Sequence, residues 1–250
     1  MEDNKALLIR KDETLDDLII GGLKLIQSRD GYRFSLDAVL VSFFPNLKKV
    51  NTVVDLGTGN GVIPLLLSAR APHLKITGIE IQDNMVDRAR RGIKHNRMEK
   101  RIEIIQEDIR QIEKTLNRGI AELVISNPPF WKQGEGRLNI NQEAAAARHE
   151  IYAGIEDIIR AAAYILKPGG NLCIIHRADR LIEIIRLFTH NKLGIKRIRM
   201  VHSFIDREAK MVLIEAQKAR TGETIILPPL IIYENTGEYR NELKKIYGYI

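Results

Sequence analysis

The sequence predicts a doubly wound α/β fold with a mostly parallel, seven-stranded sheet. Short apolar runs alternate with amphipathic helical patterns through the middle of the chain, as expected of strands joined by crossover helices. Glycine-rich or proline-rich turns follow two of these runs. Two later runs, 195–201 and 211–216, have no helical pattern between them, so they predict an antiparallel strand pair at the end of the sheet.

The first 48 residues predict a β-hairpin and a helix. Gly21-Gly22 lies inside the apolar segment 18–26 and indicates a tight two-residue turn between short strands, because glycine tolerates positive φ. Ser35 is predicted to cap a helix that ends near Phe44.

The central part of the chain predicts five strands and four helices. The strands are 52–56, 75–79, 102–105, 121–126 and 172–175. The helices are 62–69, one capped by Asp83, 155–166 and 181–188. Lys167-Pro-Gly-Gly is expected to stop the third helix, and 239–250 predicts a last amphipathic helix. Because no repeat or linker divides the chain, we expect one domain over 1–250, with a hairpin-helix extension (1–48), a core (49–220) and a C-terminal extension (221–250).

Composition limits the class of protein. The chain has 250 residues, of which 44% are hydrophobic and 28% charged, so it is neither disordered nor a disulfide scaffold. The longest uncharged stretch, 56–69, contains three glycines and a proline, which excludes a membrane span. The N-terminal residues lack the apolar run of a signal peptide, and the lone Cys173 lies in an apolar run. We therefore expect a cytoplasmic protein.

The net charge of +7 is concentrated in two segments. The segment 88–101 contains seven basic residues and one acidic residue, and the segment 192–220 contains eight basic and three acidic residues. Such segments favour a polyanionic partner over a membrane, but they are equally typical of solvated helix and strand faces. Charge alone leaves nucleic-acid binding open.

A glycine-rich loop follows the first core strand in Asp55-Leu-Gly57-Thr-Gly59-Asn-Gly61. The end of a parallel strand is where a doubly wound sheet binds ligands. The spacing is Gly-x-Gly-x-Gly, and a dinucleotide fingerprint would place the third glycine one residue later. The loop therefore favours a ligand without a pyrophosphate, such as one with an amino-acid group that offers an ammonium and a carboxylate.

Two acidic side chains follow the next strands. Glu80 ends the second core strand and is placed to accept hydrogen bonds from ribose hydroxyls. Asp108 follows the third strand and can accept from an adenine amino group, while Ile81 and Ile109 can sandwich the ring. Each residue is a weak signal alone, but together with the glycine loop they predict an adenosyl ligand.

The fourth core strand runs into Asn127-Pro128-Pro129-Phe130. Two prolines fix φ and remove two donors, so the segment is stiff and presents the Asn127 side-chain oxygen and the Pro128 carbonyl as acceptors. Two acceptors on a planar amino group direct its lone pair toward an electrophile. Phe130 offers an aromatic face for stacking of a base. We interpret these four residues as a catalytic segment.

The loop and the Asn-Pro-Pro-Phe segment resemble S-adenosylmethionine-dependent methyltransferases that modify amino groups. Gly31-Tyr-Arg-Phe34-Ser35-Leu-Asp37, Arg148-His149-Glu150 and the tail 231–239 resemble the bacterial tRNA(Val) adenine-N6 methyltransferase family. The resemblance implies a Rossmann-like methyltransferase fold and methyl transfer from S-adenosylmethionine to N6 of an adenine in RNA, tRNA in particular, leaving S-adenosylhomocysteine. It implies that Phe34, Ser35 and Asp37 line the methionine end of the cofactor. It also implies that Arg148 and His149, after the loop 132–147, face the substrate.

The candidate sites follow from both lines of argument. The cofactor-binding candidates are Phe34, Ser35, Asp37, Asp55, Gly57, Thr58, Gly59, Asn60, Gly61, Glu80, Ile81, Asp108, Ile109 and Asn127. The catalytic candidates are Asn127, Pro128, Pro129 and Phe130. The substrate-binding candidates are Phe130, Arg148 and His149. No metal is expected, because the six histidines lack ligand-like spacing.

Three alternatives remain at this stage. The Asn-Pro-Pro-Phe signature is shared with methyltransferases of guanine N2 in ribosomal RNA, and Asn-Pro-Pro-Tyr relatives act on DNA adenine or a protein glutamine. A non-catalytic adenosyl-binding module is the third, although such a protein has no use for the acceptors of Asn127. A cysteine nucleophile is excluded because Cys173 lies in a strand interior. We expect a monomer.

Overall fold

The computed structural model describes residues 9–31, 33–131 and 152–249. In this part of the chain a nine-stranded sheet carries helices on both faces, and two small hairpins add a further pair of strands each. The doubly wound, mostly parallel α/β fold predicted from the sequence is confirmed. No helix among these residues combines the length and the apolar character that crossing a membrane requires.

The elements are numbered along the chain. The strands are β1 (Glu13–Asp17), β2 (Lys24–Ser28), β3 (Thr52–Leu56), β4 (Lys75–Glu80), β5 (Ile102–Gln106), β6 (Ala121–Ser126), β7 (Leu166–Arg177), β8 (Leu193–His202), β9 (Ala209–Lys218), β10 (Ile225–Ile226), β11 (Leu230–Ile231), β12 (Tyr233–Asn235) and β13 (Glu238–Tyr239). The helices are α1 (Leu36–Phe43), α2 (Val62–Arg70), α3 (Asp83–His95), α4 (Ile155–Ile165), α5 (Leu181–His190) and α6 (Asn241–Ile246).

The large sheet has the strand order β5-β4-β3-β6-β7-β9-β8-β10, and β11 also pairs with β8. Neighbours from β5 to β7 run parallel, whereas β9 is antiparallel to both β7 and β8. The seven predicted strands correspond to β3 through β9, and the sequence did not predict the short β10 and β11. The parallel arrangement brings the carboxyl ends of β3, β4, β5, β6 and β7 to one edge, which positions the site described below.

The core has one cluster on each face of the sheet, because successive strand residues point to opposite sides. Val53 and Cys173 pack on one face among residues of α1, α2 and α3. Val54 and Ile174 pack on the other face with α4 and α5. The continuous apolar runs of β3, β6 and β7 therefore reflect strands covered on both sides. Cys173 is a buried hydrophobe, and burial raises the pKa of its thiol.

The N-terminal hairpin differs from its predicted form. Its strands pair from Glu13↔Ser28 to Asp17↔Lys24, so the first strand lies earlier than the predicted 18–20. The connection is longer than two residues and contains a short 3-10 turn, Ile20–Gly22. Leu18 donates its N–H to the Leu23 carbonyl (2.9 Å) across this loop. The glycine pair was recognised, but the register depends on strand pairing that periodicity alone does not specify.

Three further boundaries differ. Lys167-Pro-Gly-Gly ends α4 as predicted, but these residues already belong to β7, which is longer than the predicted 172–175. Helix α3 begins at Asp83, so its N-cap residue is Gln82 and not Asp83 as predicted. Ser35 does occupy the cap position of α1, yet its hydroxyl makes no capping bond and donates to Asp37 Oδ2 (2.7 Å). The predicted tail helix is only the six-residue α6.

Gly78 of β4 makes room for the loop above it, and we predict that Gly78→Ala lowers the free energy of unfolding by about 1–3 kcal/mol. An added Cβ would lie 2.7 Å from Ile104 Cδ1 and 2.9 Å from Thr58 Cγ2. The matched control is Gly92→Ala in α3, where the nearest atom, Ile26 N, is 3.9 Å away and helix propensity favours alanine by up to about 1 kcal/mol. Denaturant unfolding of the three proteins measures both effects, and equal stability of Gly78→Ala and wild type contradicts the prediction.

Candidate active site

A cavity opens at the carboxyl ends of β3, β4, β5 and β6. It encloses about 960 Å³ of space, a volume that includes its open mouth. The sequence-predicted residues that line it are Phe34, Gly57, Thr58, Gly59, Asn60, Glu80, Ile81, Asp108, Ile109, Asn127, Pro128 and Pro129. The structure therefore brings most of the candidate residues to one concave surface.

The glycine-rich loop is anchored to the neighbouring strand. The N–H groups of Gly57 and Thr58 both donate to the Ile79 carbonyl (2.9 and 3.0 Å). Gly59 has a φ of 55°, and Gly61 has a φ of 83° at the start of α2 with Ala89 close to where a Cβ would be. These conformations and this close approach favour glycine. The loop thus turns sharply over the end of β4 and leaves its backbone facing the cavity.

Glu80 holds the loop from below. Its Oε2 accepts a hydrogen bond from Gly59 N–H (2.9 Å), and its Oε1 accepts from the N–H groups of Ile81 (3.0 Å) and Gln82 (2.9 Å). Burial raises the pKa of Glu80, and these backbone hydrogen bonds oppose that rise. A carboxylate oxygen has more than one acceptor direction, so the predicted contact with ribose hydroxyls is compatible with this arrangement.

Asp55 lies behind the loop and does not line the cavity. Its side chain is completely buried, and neither carboxylate oxygen has a hydrogen bond in the described part of the chain. Burial raises the pKa of Asp55 to about 7. The nearby polar side chain of Thr58 opposes this rise, and the negative charge of Glu80 adds to it. An unpaired buried carboxylate is energetically unfavourable unless a donor or a cation completes it.

Asp108 and the two isoleucines occupy the other end of the cavity. Ile81 and Ile109 both contribute to the lining, as the sandwich prediction requires. The Asp108 carboxylate accepts hydrogen bonds from Arg110 Nη2 (2.6 Å) and the Arg110 backbone N–H (2.9 Å), and these contacts lower the pKa of Asp108. An adenine amino group would therefore share this carboxylate with Arg110, a competition that the sequence did not reveal.

The segment after β6 presents an acceptor without a partner. Ser126 Oγ donates to the Leu56 carbonyl (2.7 Å) and ties the end of β6 to the end of β3. The next residue, Asn127, lines the cavity, and its Oδ1 is buried with no hydrogen bond among the described residues. Pro128 and Pro129 continue the same wall. Buried unpaired polar atoms are rare, and one that faces a cavity marks a candidate ligand contact.

Several candidates lie away from the cavity wall or outside the described residues. Ser35, Asp37, Gly61 and Phe130 do not line the cavity, and the Ser35 hydroxyl is paired with Asp37, whose pKa is raised by burial. Tyr32, the loop 132–147, Arg148 and His149 lie outside the described residues. The implied substrate role of Arg148 and His149 therefore stays a prediction.

Some lining residues were missed by the sequence analysis. They are Ala38, Leu56, Val62, Ile63, Gln82, Met85, Tyr152, Ala153 and Ile158. Gln82 comes two residues after Glu80 at the same strand end, so the rule that selected Glu80 applies to it as well. The apolar members carry no such signal, because a cavity wall and a core share the same residue types.

The two basic segments are used largely inside the protein. In the first, Arg90 donates to the Ile104 carbonyl (2.9 Å) and Arg91 pairs with the Glu13 carboxylate (2.6 Å). Other pairings of this kind join Arg88 to Asn60, Arg101 to the Ser68 and Pro72 carbonyls, Lys196 and Arg197 to Glu215, Arg199 to Glu242, and Lys218 to the Leu166 carbonyl. These segments therefore have fewer basic side chains available to contact a polyanion than their composition suggests.

Across the described residues, no three His, Cys, Asp or Glu side chains are grouped so that they could hold a metal ion. The candidate site consists of the glycine-rich loop, the acidic side chains of Glu80 and Asp108, the polar side chains of Thr58, Asn60, Gln82 and Asn127, and apolar walls. Such a set suits an organic ligand with a cationic or amino group and a planar ring.

Comparisons with known proteins identify relatives of this arrangement. The family model described as methyltransferase small domain matches residues 36–190. The chain is 30% identical over 197 residues to the tRNA1(Val) (adenine(37)-N6)-methyltransferase of Porphyromonas gingivalis, which covers 77% of this chain and 76% of that protein. The resemblance drawn from the sequence is thereby confirmed.

Solved structures with the same fold include the predicted O-methyltransferase Atu636 of Agrobacterium tumefaciens, with a TM-score of 0.69 and 24% identity over 85% of this chain and 95% of that one. A geranyl diphosphate methyltransferase in complex with SAM matches with a TM-score of 0.53 and 13% identity over 73% of this chain and 86% of that one. At these identities the two structures show the fold alone, which is Rossmann-like.

We predict that Asp55→Asn increases stability at high pH. The folded-state pKa of about 7 exceeds the ordinary value of 3.8, so the folded protein keeps this proton longer than the unfolded chain. The free energy of unfolding therefore falls as pH rises from about 4 to about 7, and above pH 7 the whole penalty is present. At pH 8 the variant should be more stable than wild type by about 2–4 kcal/mol, and at pH 4 the two should be equal.

Denaturant unfolding at both pH values measures this difference. The control is Asp206→Asn, at an exposed aspartate in the β8–β9 turn, which should change stability little at either pH. A stability gain for Asp55→Asn that is the same at pH 4 and pH 8 contradicts the ionisation argument.

Proposed function

The chain belongs to the methyltransferase small domain family, and we propose that it transfers a methyl group from S-adenosylmethionine to the exocyclic N6 of an adenine in tRNA. The observation that carries the proposal is the buried, unpaired Oδ1 of Asn127 in the wall of the cavity. The relative from Porphyromonas gingivalis carries the name of a tRNA1(Val) adenine-37 N6 methyltransferase, which makes that nucleotide the first substrate to test.

The described residues fit this cofactor. The carbonyl oxygens of the loop 57–61 and the carboxylate of Asp55 behind it suit the ammonium group of an amino acid. The N–H groups of Gly57, Thr58, Gly59 and Gly61 already donate within the protein. Glu80 would accept from the ribose, and Ile81 and Ile109 would enclose the adenine ring next to Asp108. When bound, the cofactor would supply an electrophilic methyl group on a positively charged sulfur.

The Asn127 segment would prepare the nitrogen that accepts this methyl group. Asn127 Oδ1 and the Pro128 carbonyl would accept the two hydrogens of the adenine amino group, which localises the nitrogen lone pair away from the ring. The lone pair would form the new N–C bond as the sulfur–methyl bond breaks, and the sulfur would keep the electron pair of that bond in S-adenosylhomocysteine. One proton would then leave the nitrogen for solvent. Neither an amide nor a carbonyl is a base, so the chain acts by orientation and electrostatics rather than by proton abstraction.

Phe130 would stack on the base of the substrate beside the cavity. Its side chain is half-buried, does not line the cofactor cavity and directly follows the lining residue Pro129. A planar base that enters from solvent can stack on an aromatic ring in this place. The proposed arrangement therefore separates a cofactor cavity from a substrate face, with Asn127 between them.

We predict that Asn127→Ala lowers the turnover number about 10²–10³-fold, as loss of one preorganised hydrogen-bond partner does in other enzymes. Affinity for S-adenosylmethionine, measured by calorimetry, should stay within a few-fold of wild type. The control is Asn171→Ala, at the amino-terminal part of β7 and far from the cavity along the strand. Unchanged methyl transfer by Asn127→Ala refutes the role of this side chain.

We predict that the protein methylates an unmodified tRNA1(Val) transcript and that nucleoside analysis finds N6-methyladenosine. The assay uses labelled S-adenosylmethionine, with the same transcript carrying guanosine at position 37 as the control. Ribosomal RNA and a glutamine-containing peptide are tested in parallel. Label in N2-methylguanosine or in the peptide, with none in the tRNA, rejects the proposed substrate while retaining methyl transfer.

A further inference from the structure

His176 and Arg177 at the end of β7 contact two consecutive aromatic residues that follow β6, Phe130 and Trp131. The imidazole of His176 meets the Phe130 ring edge to face, with centroids 5.5 Å apart and planes at 69°. The guanidinium carbon of Arg177 lies 3.8 Å from the centroid of the Trp131 ring. Because β6 and β7 are parallel neighbours with Ser126 opposite Ile174, both segments leave the sheet at the same edge.

His176 is fixed in one orientation. The side chain is completely buried, and its Nδ1 accepts the backbone N–H of Arg177 (2.8 Å). Burial lowers the pKa of His176 to about 4, with Arg180 contributing, so the ring is neutral near pH 7. A neutral imidazole that accepts at Nδ1 carries its proton on Nε2. The Nε2 atom is buried and has no hydrogen-bond partner among the described residues.

Arg177 is fixed as well. Its Nε donates to Asp179 Oδ1 (3.1 Å), and its Nη2 donates to Asp179 Oδ2, so the planar guanidinium is held at two points. The guanidinium lies over the Trp131 ring, a favourable cation–π contact. Neither β7 residue has a function predicted from the sequence.

On the basis of the function proposed above, we propose that His176 and Arg177 are positioning residues. His176 sets the orientation of Phe130 and Arg177 sets that of Trp131, and we call these two side chains the platform. The Phe130 ring of the platform receives the planar base of the RNA substrate. The platform begins directly after Asn127-Pro128-Pro129, so an error in its orientation displaces the amino group from the Asn127 oxygen. Small displacements of this kind reduce rates strongly, because the reacting atoms must be aligned.

The single tryptophan of the chain makes the platform observable without any substrate. Arg177→Lys keeps the charge but lacks the planar guanidinium and the two-point contact with Asp179. We expect it to change the intensity of Trp131 emission in the RNA-free protein by about 1.5-fold or more, because the indole ring loses the guanidinium that contacts it. The control is Arg186→Lys, an exposed residue of α5, which should leave the emission unchanged.

Kinetics tests the effect on the substrate. We expect His176→Asn and Arg177→Lys to lower kcat/KM for the tRNA transcript about tenfold or more, while the Kd for S-adenosylmethionine stays within about twofold. His176→Phe keeps an aromatic edge against Phe130 and should retain more activity than His176→Asn. The matched control is His190→Asn, at an exposed histidine of α5, and thermal unfolding verifies that each variant is folded.

Three results would overturn the proposal. The first is a kcat/KM within twofold of wild type for both His176→Asn and Arg177→Lys, and the second is an unchanged Trp131 emission in Arg177→Lys. The third is a rate loss matched by an equal loss of S-adenosylmethionine affinity, since that pattern indicates general disruption. If the wild-type protein methylates no RNA, the proposed function fails, yet the emission of the RNA-free variants still decides whether β7 orients the platform.

Discussion

Buried acceptors without partners at the carboxyl ends of β3 and β6 are the feature on which the site depends. Asp55 lies in β3 and Asn127 directly follows its parallel neighbour β6, and their side-chain oxygens are removed from water without a hydrogen bond in the described part of the chain. Each such atom costs about 1–3 kcal/mol of stability, which the rest of the fold offsets. The Asn127 oxygen belongs to a residue of the cavity wall and needs no reorganisation when a ligand offers donors, while Asp55 adds a carboxylate behind the glycine loop.

A small set of hydrogen bonds keeps these acceptors in place. Ser126 ties β6 to the Leu56 carbonyl of β3, the glycine loop is tied to the Ile79 carbonyl, and Glu80 holds Gly59. Three strand ends thereby become one frame around the cavity. The aromatic contacts of His176 and Arg177 join the end of β7 to the segment that follows β6.

The distribution of charge shows how far composition can mislead. The chain is basic, yet many arginines in its two basic segments donate to carbonyls or carboxylates of the same chain, as Arg90 and Arg199 do. Guanidinium groups suit this use because they remain charged when half-buried and offer several donors. The basic composition of the two segments is therefore weak evidence for a broad basic face that binds a polyanion.

The sequence by itself determined the strand-helix alternation, the glycine loop, the acids at successive strand ends and the Asn127 segment, because hydrophobic period and turn chemistry are local properties. It did not determine the hairpin register at Glu13, the competition of Arg110 for Asp108, or the apolar part of the cavity wall. The sequence also did not determine the contact between Phe130 and His176. These residues are 46 positions apart in the chain, and the parallel pairing of β6 with β7 brings them together. Contacts between distant segments depend on strand order and register, which tertiary packing decides.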